Sequence, residues 1–285
     1  MIINDFISRG ELQDTIDYKV SVDGKEHIQR INFYKIKRTY SYEINDTRNA
    51  FLYPYSEVIQ NYKYLIPYQN GDFPITLESP FYENALANSL MSFYFGGHAA
   101  MYFDGYIYES VGMVDDFNSA TELIFNNLDE KKSYPKMTKN KTSYHMQYGF
   151  GDGPSSKYGY YYRDEVMTLR KKDYNEAVLE KTKSFLEDLS QSETKGFYNL
   201  AFFVNTKDRY YCSDLISRAY QSALLDSQNQ KEFPRVLNDD KFITSVYDLL
   251  LSKDSYLTIY FKAHKELIDG KEEMVSNIYF LEDIN

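Results

Sequence analysis

Nucleophilic catalysis needs a thiol or hydroxyl, a base to activate it and an acid to orient the base. Sulfur chemistry in this chain of 285 residues falls to Cys212, the single cysteine. It has no partner for an intramolecular disulfide, so any role it has is that of a free thiol. In YYCSDLISRAYQSALL the apolar residues Leu215, Ile216, Ala219, Tyr220, Ala223 and Leu224 recur at helical spacing and form one stripe. Cys212 heads that stripe, which predicts an inward-pointing thiol at a helix N-terminus over residues 213–225. There the unpaired backbone N–H groups and the helix dipole favour the thiolate. A cysteine in such a place can equally act as a small core hydrophobe.

The base and the acid are read from a hairpin. In GGHAAMYFDGYIYESVG, Asp104-Gly105 is the signature of a two-residue turn, which sets Phe103 against Tyr106 and fixes the register of both arms. Continued outward, the register opposes Ala100 to Glu109 and His98 to Val111. His98, Ala100 and Tyr102 then share a face with Ile107, Glu109 and Val111, because side chains alternate with period two. His98 and Glu109 become diagonal neighbours, about 7 Å apart at the backbone. A carboxylate so placed selects the imidazole tautomer and favours the imidazolium. A solvated or structurally satisfied pair is the competing reading; the added cysteine at a helix start makes the set that of a Cys-His-acid hydrolase.

The elements that must position these groups are partly legible. Asp23-Gly24 predicts a hairpin over 16–36, and a boundary is placed near residue 60, dividing a β-rich extension (1–60) from the main domain (61–285). The stretch SPFYENALANSLMSFYF is compatible with a short helix. Residues 131–142, with five lysines and no acid, and the Gly/Tyr/Ser-rich run after them read as surface loops. From Asp173 the apolar residues Tyr174, Ala177, Val178, Phe185, Leu186 and Leu189 predict a helix that Gly196 would end. A further helix fits 240–252, and SYLTIYF and EMVSNIYF read as closing strands. This order suggests an α+β fold rather than a doubly wound parallel sheet.

Composition excludes several classes. Thirty-two basic residues against 42 acidic ones leave a formal charge of −10, which repels a phosphate backbone and argues against a nucleic-acid partner. With 43 % apolar residues, including 30 Tyr and 19 Phe, the chain is composed as a folded protein. No run reaches the ~18 apolar residues of a membrane span, and the start lacks the order of a signal peptide. The expected location is therefore cytoplasmic, or secreted or cell-surface if a leader has been removed. No cofactor and no metal are expected. A zinc site from His98, Glu109 and Cys212 would supply three of the usual four ligands, and His27, His145 and His264 show no ligand spacing near them.

Taken together, these segments resemble the circularly permuted papain-like hydrolases, the YiiX/YaeF-type relatives of the NlpC cell-wall amidases. The marks are Gly71-Asp72 with Thr76 (GDFPIT), resembling an opening GD-I-x-x-T; GGHAAMYFDGYIYES, resembling a G-H-x-x-x-Y hairpin with a following acid; Tyr198-Asn199 ahead of the nucleophile; YYCSDLISRAY, resembling Y-C-S-E-L-V; and the late SVYDLLLS. Ordinary papain-like enzymes place the Cys helix before the His strand, and here the order is reversed. Asp214 stands where the family has Glu, and Tyr247 precedes Asp248 where the family has Pro.

The resemblance implies an antiparallel sheet packed on a nucleophile-bearing helix, with Cys212 as nucleophile, His98 as base and then acid, and Glu109 as the orienting group. The implied activity is that of a cysteine peptidase or amidase (thiol protease) on peptide, cell-wall or N-acyl amides in a bacterial setting. Tyr102, sharing His98's face, and Tyr211, beside the nucleophile, are candidates to assist the oxyanion. Two other outcomes stay open: a lipid acyltransferase or esterase of the lecithin:retinol acyltransferase-like type, and a peptide- or lipid-binding module without turnover. Lys131, Lys132, Lys136, Lys139 and Lys141 are a candidate contact for an anionic surface.

Overall fold

A computed structural model describes residues 2–22, 24–38, 51–53, 66–77, 97–110, 136–140, 164–172, 175–199, 208–224, 236–238 and 243–281. The expected helix in 79–95, the Gly/Tyr/Ser-rich run after residue 142 and Val111 lie outside them. The fold is mixed α+β, dominated by sheet. After helix α1 (Ile2–Ser8) come β1 (Gly10–Val22), β2 (Lys25–Ile36), β3 (Phe51–Tyr53), β4 (Ile66–Tyr68), β5 (Phe73–Thr76), β6 (His98–Ala99), β7 (Met101–Phe103), β8 (Tyr106–Ser110), β9 (Met137–Asn140) and β10 (Glu165–Lys171). Helix α2 (Glu176–Gln191), β11 (Phe197–Tyr198), β12 (Arg209–Tyr210), α3 (Cys212–Leu224), α4 (Val246–Leu251), β13 (Ser255–Ile268) and β14 (Lys271–Leu281) follow.

Seven strands form one sheet in the order β1-β2-β14-β13-β10-β5-β6. Its neighbours pair antiparallel except β2 and β14, which run parallel. Side chains stitch that parallel seam along its length: His27 Nδ1 lies 3.2 Å from Glu273 Oε2, Asn32 donates to Asn277 at 2.8 Å, and Tyr34 stacks on Tyr279 with ring centroids 4.4 Å apart. In its described part the 1–60 extension therefore continues the main sheet, and its Phe6 and Ile36 are buried in the same core as the helices. A second sheet, β7-β8-β9, carries the acid strand.

The glycine turns behave as their sequences require. Val22 pairs with Lys25 around Gly24 at φ 73°, and Phe103 pairs with Tyr106 around Asp104 and Gly105 at φ 49° and 82°. The same left-handed pair, Asp269-Gly270 at φ 52° and 78°, joins the last two strands.

Other expectations need correction. Residues 137–140 are a strand rather than loop: β9 pairs with β8, and Lys139 is held by Glu187 at 2.6 Å and over the Tyr106 ring at 4.3 Å. Lysines on a sheet edge protect it from further pairing, which is why a strand can read as a charged loop. Helix α2 starts at Glu176 because the Asn175 side chain accepts from the Val178 N–H, and Ala177 is exposed. It ends before Gly196, at Gln191. Helix α4 is shorter than 240–252 because Ser245 and Asp248 form a capping box that starts it at Val246. In α3 the predicted stripe is buried, except Leu224, which is 40 % exposed.

One ion pair fixes the strand that leads to the site. Asp72, just before β5, receives Arg170 of β10 through two hydrogen bonds, Nε to Oδ1 at 2.6 Å and Nη2 to Oδ2 at 2.8 Å, with both side chains 0 % exposed. The Gln69 N–H also donates to Asp72, and the Tyr220 hydroxyl of α3 donates to the Gly71 carbonyl at 2.6 Å. Removing one member leaves an uncompensated buried charge, a loss of about 3–5 kcal/mol. Arg170→Met should thus lower unfolding free energy by about that amount in urea titration. The double variant Asp72→Leu with Arg170→Met should recover part of the loss; single variants within about 0.5 kcal/mol of wild type would contradict the pair's role.

Candidate active site

The strand carrying His98 changes sheets partway along. Ile75 pairs with Ala99 and Thr76 with His98, whereas Met101, Tyr102 and Phe103 pair with Tyr108, Ile107 and Tyr106. The Ala100 N–H donates to the Pro74 carbonyl. The hairpin register predicted from the turn therefore holds through Met101. Ala100 and Glu109 lie beyond the last ladder pair, Met101 with Tyr108; the Ala100 and Tyr102 N–H groups donate to the Pro74 and Asp72 carbonyls, away from β8, as alternate amides of that register do. Alternation of faces survives the switch: Ala100, Tyr102 and Ile107 pack in one core, and Ala99, Met101, Phe103 and Tyr108 in the other.

Gly97 makes the approach to His98 possible. Its φ of 83° is left-handed, and a Cβ there would overlap the Thr76 carbonyl oxygen. With the backbone so bent, His98 Nε2 lies 2.9 Å from Glu109 Oε2; the two side chains are 12 % and 1 % exposed. A hydrogen bond also joins the His98 and Cys212 side chains. With Nε2 turned to Glu109, Nδ1 is the ring nitrogen left for the thiol. Cys212 opens α3, as its first helical residue, and is 6 % exposed. The structure thus brings Cys212, His98 and Glu109 into one chain of hydrogen bonds.

Burial and pairing compete at both titrating groups. At His98 burial is the largest influence and pulls the pKa down, but the hydrogen bonds and charges of Cys212 and Glu109 together raise it to about 9. At Cys212 burial pushes the thiol up, and His98 together with the backbone N–H groups of Ala99 and Ser213 outweighs it, leaving the pKa below the ordinary thiol value. Both shifts favour a thiolate–imidazolium pair. Among the described residues β6 is the last strand of the large sheet and pairs there with β5, and the Ala99 N–H serves the thiol instead.

The two oxyanion candidates are placed differently from expectation. Tyr102 stacks on Tyr68 with centroids 5.0 Å apart, and its hydroxyl accepts the Gly105 N–H at the hairpin turn, the end of the hairpin far from His98. The Tyr211 hydroxyl accepts the Thr244 N–H at 2.9 Å. Tyr198 is the tyrosine that sequence reasoning left without a role. It sits at the end of β11, parallel to β12, and packs with Tyr211 and Ile243. Burial, with Cys212 and Tyr211 as electrostatic neighbours, raises its pKa well above the ordinary phenol value, so it remains a protonated donor. Its signal was present in Tyr198-Asn199 but could not be placed without the β11–β12 pairing.

Of the lysine cluster, Lys136 donates to the Ser192 carbonyl and Lys139 binds Glu187, while Lys131, Lys132 and Lys141 lie outside the described residues. Among the described residues no group of three or more His, Cys, Asp and Glu side chains has metal-holding geometry, and no helix is long and apolar enough to cross a membrane. Against family models, curated proteins and solved structures, the chain finds no match.

Glu109→Gln removes the carboxylate behind His98 and should lower the pKa of the imidazole from about 9. Ring-proton NMR titration reads this directly; an unchanged titration would remove Glu109 as the orienting acid.

Proposed function

We propose that the chain is a cysteine hydrolase that cleaves an amide bond through Cys212, His98 and Glu109, on a permuted papain-like arrangement in which the His strand precedes the Cys helix. The observation that carries this reading is the hydrogen-bonded series from Glu109 through His98 to a thiol whose pKa is lowered despite burial. A core cysteine has no such partners. The mark-by-mark resemblance in sequence, with the sheet edge facing α3, favours the amidase reading over acyl transfer to a lipid; YYCSDL stands where the acyltransferase type has N-C-E-H-F.

In this mechanism the Cys212 thiolate attacks the amide carbonyl carbon, forming an S–C bond and moving an electron pair to the carbonyl oxygen. The protonated Tyr198 hydroxyl and the Cys212 backbone N–H are the donors assigned to that oxyanion. Collapse of the tetrahedral intermediate breaks the C–N bond, and the His98 imidazolium gives its proton to the leaving amine. Water then attacks the thioester as His98 takes its proton, and cleavage of the S–C bond releases the carboxylic acid and restores the thiolate. Glu109 keeps the ring oriented and stabilises its charge throughout.

The test has two arms. Iodoacetamide should alkylate Cys212 below pH 7 in the folded protein, and Cys212→Ala should abolish both labelling and turnover of peptide or N-acyl amide substrates. Turnover should also fall as pH rises through about 9, where His98 loses the proton it donates, while alkylation persists. Tyr198→Phe should lower kcat by about 10²-fold and leave alkylation intact. A thiol inert until the protein unfolds would overturn the enzyme reading and favour a binding module. Turnover of acyl esters with transfer to an added acceptor, in place of amide hydrolysis, would move it to the acyltransferase class.

A further inference from the structure

The residues on either side of Cys212 both reach to one peptide group-bearing residue elsewhere in the chain. The Tyr211 hydroxyl accepts the Thr244 N–H at 2.9 Å, and the Ser213 hydroxyl donates to the Thr244 carbonyl at 2.6 Å. All three residues are buried, at 2 %, 1 % and 0 % exposure for Tyr211, Ser213 and Thr244. Thr244 is itself held: its hydroxyl accepts from Asn238 Nδ2 at 3.0 Å, and the next residue, Ser245, is locked to Asp248 in the capping box of α4. We propose that the Thr244 backbone is a two-point clamp on the start of the nucleophile helix, and that Tyr211 and Ser213 are positioning residues that hold the Cys212 sulfur on His98. The inference rests on the hydrolase reading and adds to it a means of controlling the nucleophile.

A helix start is the part of a helix most ready to fray, because its first N–H groups have no partners within the helix. Cys212 is the first residue of α3, so its sulfur would follow any such fraying. Ser213 is doubly placed: its side chain grips Thr244 while its own N–H supports the thiolate. Loosening the side-chain bond turns that N–H and the sulfur together. Among the described residues the groups that act on the sulfur are His98 from β6 with Glu109 behind it from β8, Tyr198 from β11, and the N–H groups of Ala99 and Ser213. Burial works against the thiolate, so any loss of alignment with His98 lets burial prevail and raises the pH at which the thiol ionises.

A tie that merely stabilises the fold would lower the melting temperature and leave thiol ionisation where it was. Rates of iodoacetamide alkylation against pH, measured on the full chain, separate the two. Ser213→Ala and Tyr211→Phe should each move the midpoint up by about 0.5–1 pH unit, the effect of one lost hydrogen bond. Ser213→Thr, which keeps the hydroxyl, should restore the wild-type midpoint. Ser222→Ala, which removes a hydroxyl bonded to Ala219 within the same helix, should leave it unchanged. Folded variants with lowered melting temperatures and wild-type midpoints would overturn the clamp. If Ser213→Ala fails to fold, the near-isosteric Tyr211→Phe decides. A wild-type thiol that ionises at an ordinary value would instead overturn the hydrolase reading on which the clamp rests.

Discussion

Asp72 and Arg170 set the geometry from which the rest of the site follows. A carboxylate and a guanidinium with no exposed surface can persist only as a pair, and the two-bond contact permits little freedom in how β5 lies against β10. Strand β5 is short, yet among the described residues it is the one that joins β6 to the large sheet. With β5 fixed, Thr76 aligns His98, and Gly97 supplies the bend that lets the strand come so near. The Tyr220 bond to Gly71 ties the Cys212 helix, α3, to the same corner. One buried charge pair thus references the His98 strand and the Cys212 helix to a common point.

The electrostatics of the site depend on that precision. Burial is the largest influence at both His98 and Cys212, and in each case it opposes the charged form. Hydrogen bonds and mutual attraction exceed that opposition and favour the charged forms, and attraction of this kind weakens with distance and misalignment. Such a centre tolerates little disorder. The ties are correspondingly dense: Ser110, next to the acid, donates to the Tyr210 carbonyl at 2.7 Å, joining the acid strand to the approach to the helix.

What could be read from the sequence was local. Asp104-Gly105 set the register of its hairpin because a two-residue turn dictates pairing near itself, and the spacing of Leu215, Ile216, Ala219 and Ala223 marked the buried face of α3. The ladder it sets runs as far as Met101; beyond it His98 and Ala99 pair with β5, more than twenty residues earlier in the chain, which the turn does not encode. Lys139 misled for a related reason: its charge is answered by Glu187 on a helix that no pattern around Lys139 could foretell. Arg170 went unremarked, although an arginine among the apolar residues of EVMTLRK is the kind of residue that must find a buried acid. Tyr198 and Thr244 owe their places to contacts between segments far apart in sequence, which no local spacing encodes.

The parallel seam between β2 and β14 has a consequence for how the molecule is made. Strand β2 finds its second neighbour more than two hundred residues further along the chain, so it is paired on one side only until that stretch has been made. The first hairpin can form early by itself, but its far edge stays open until β14 arrives. Completion of the sheet therefore waits on a pairing of very long sequence separation. In the interval that unfilled edge is the place where a nascent chain would be vulnerable to pairing with its neighbours.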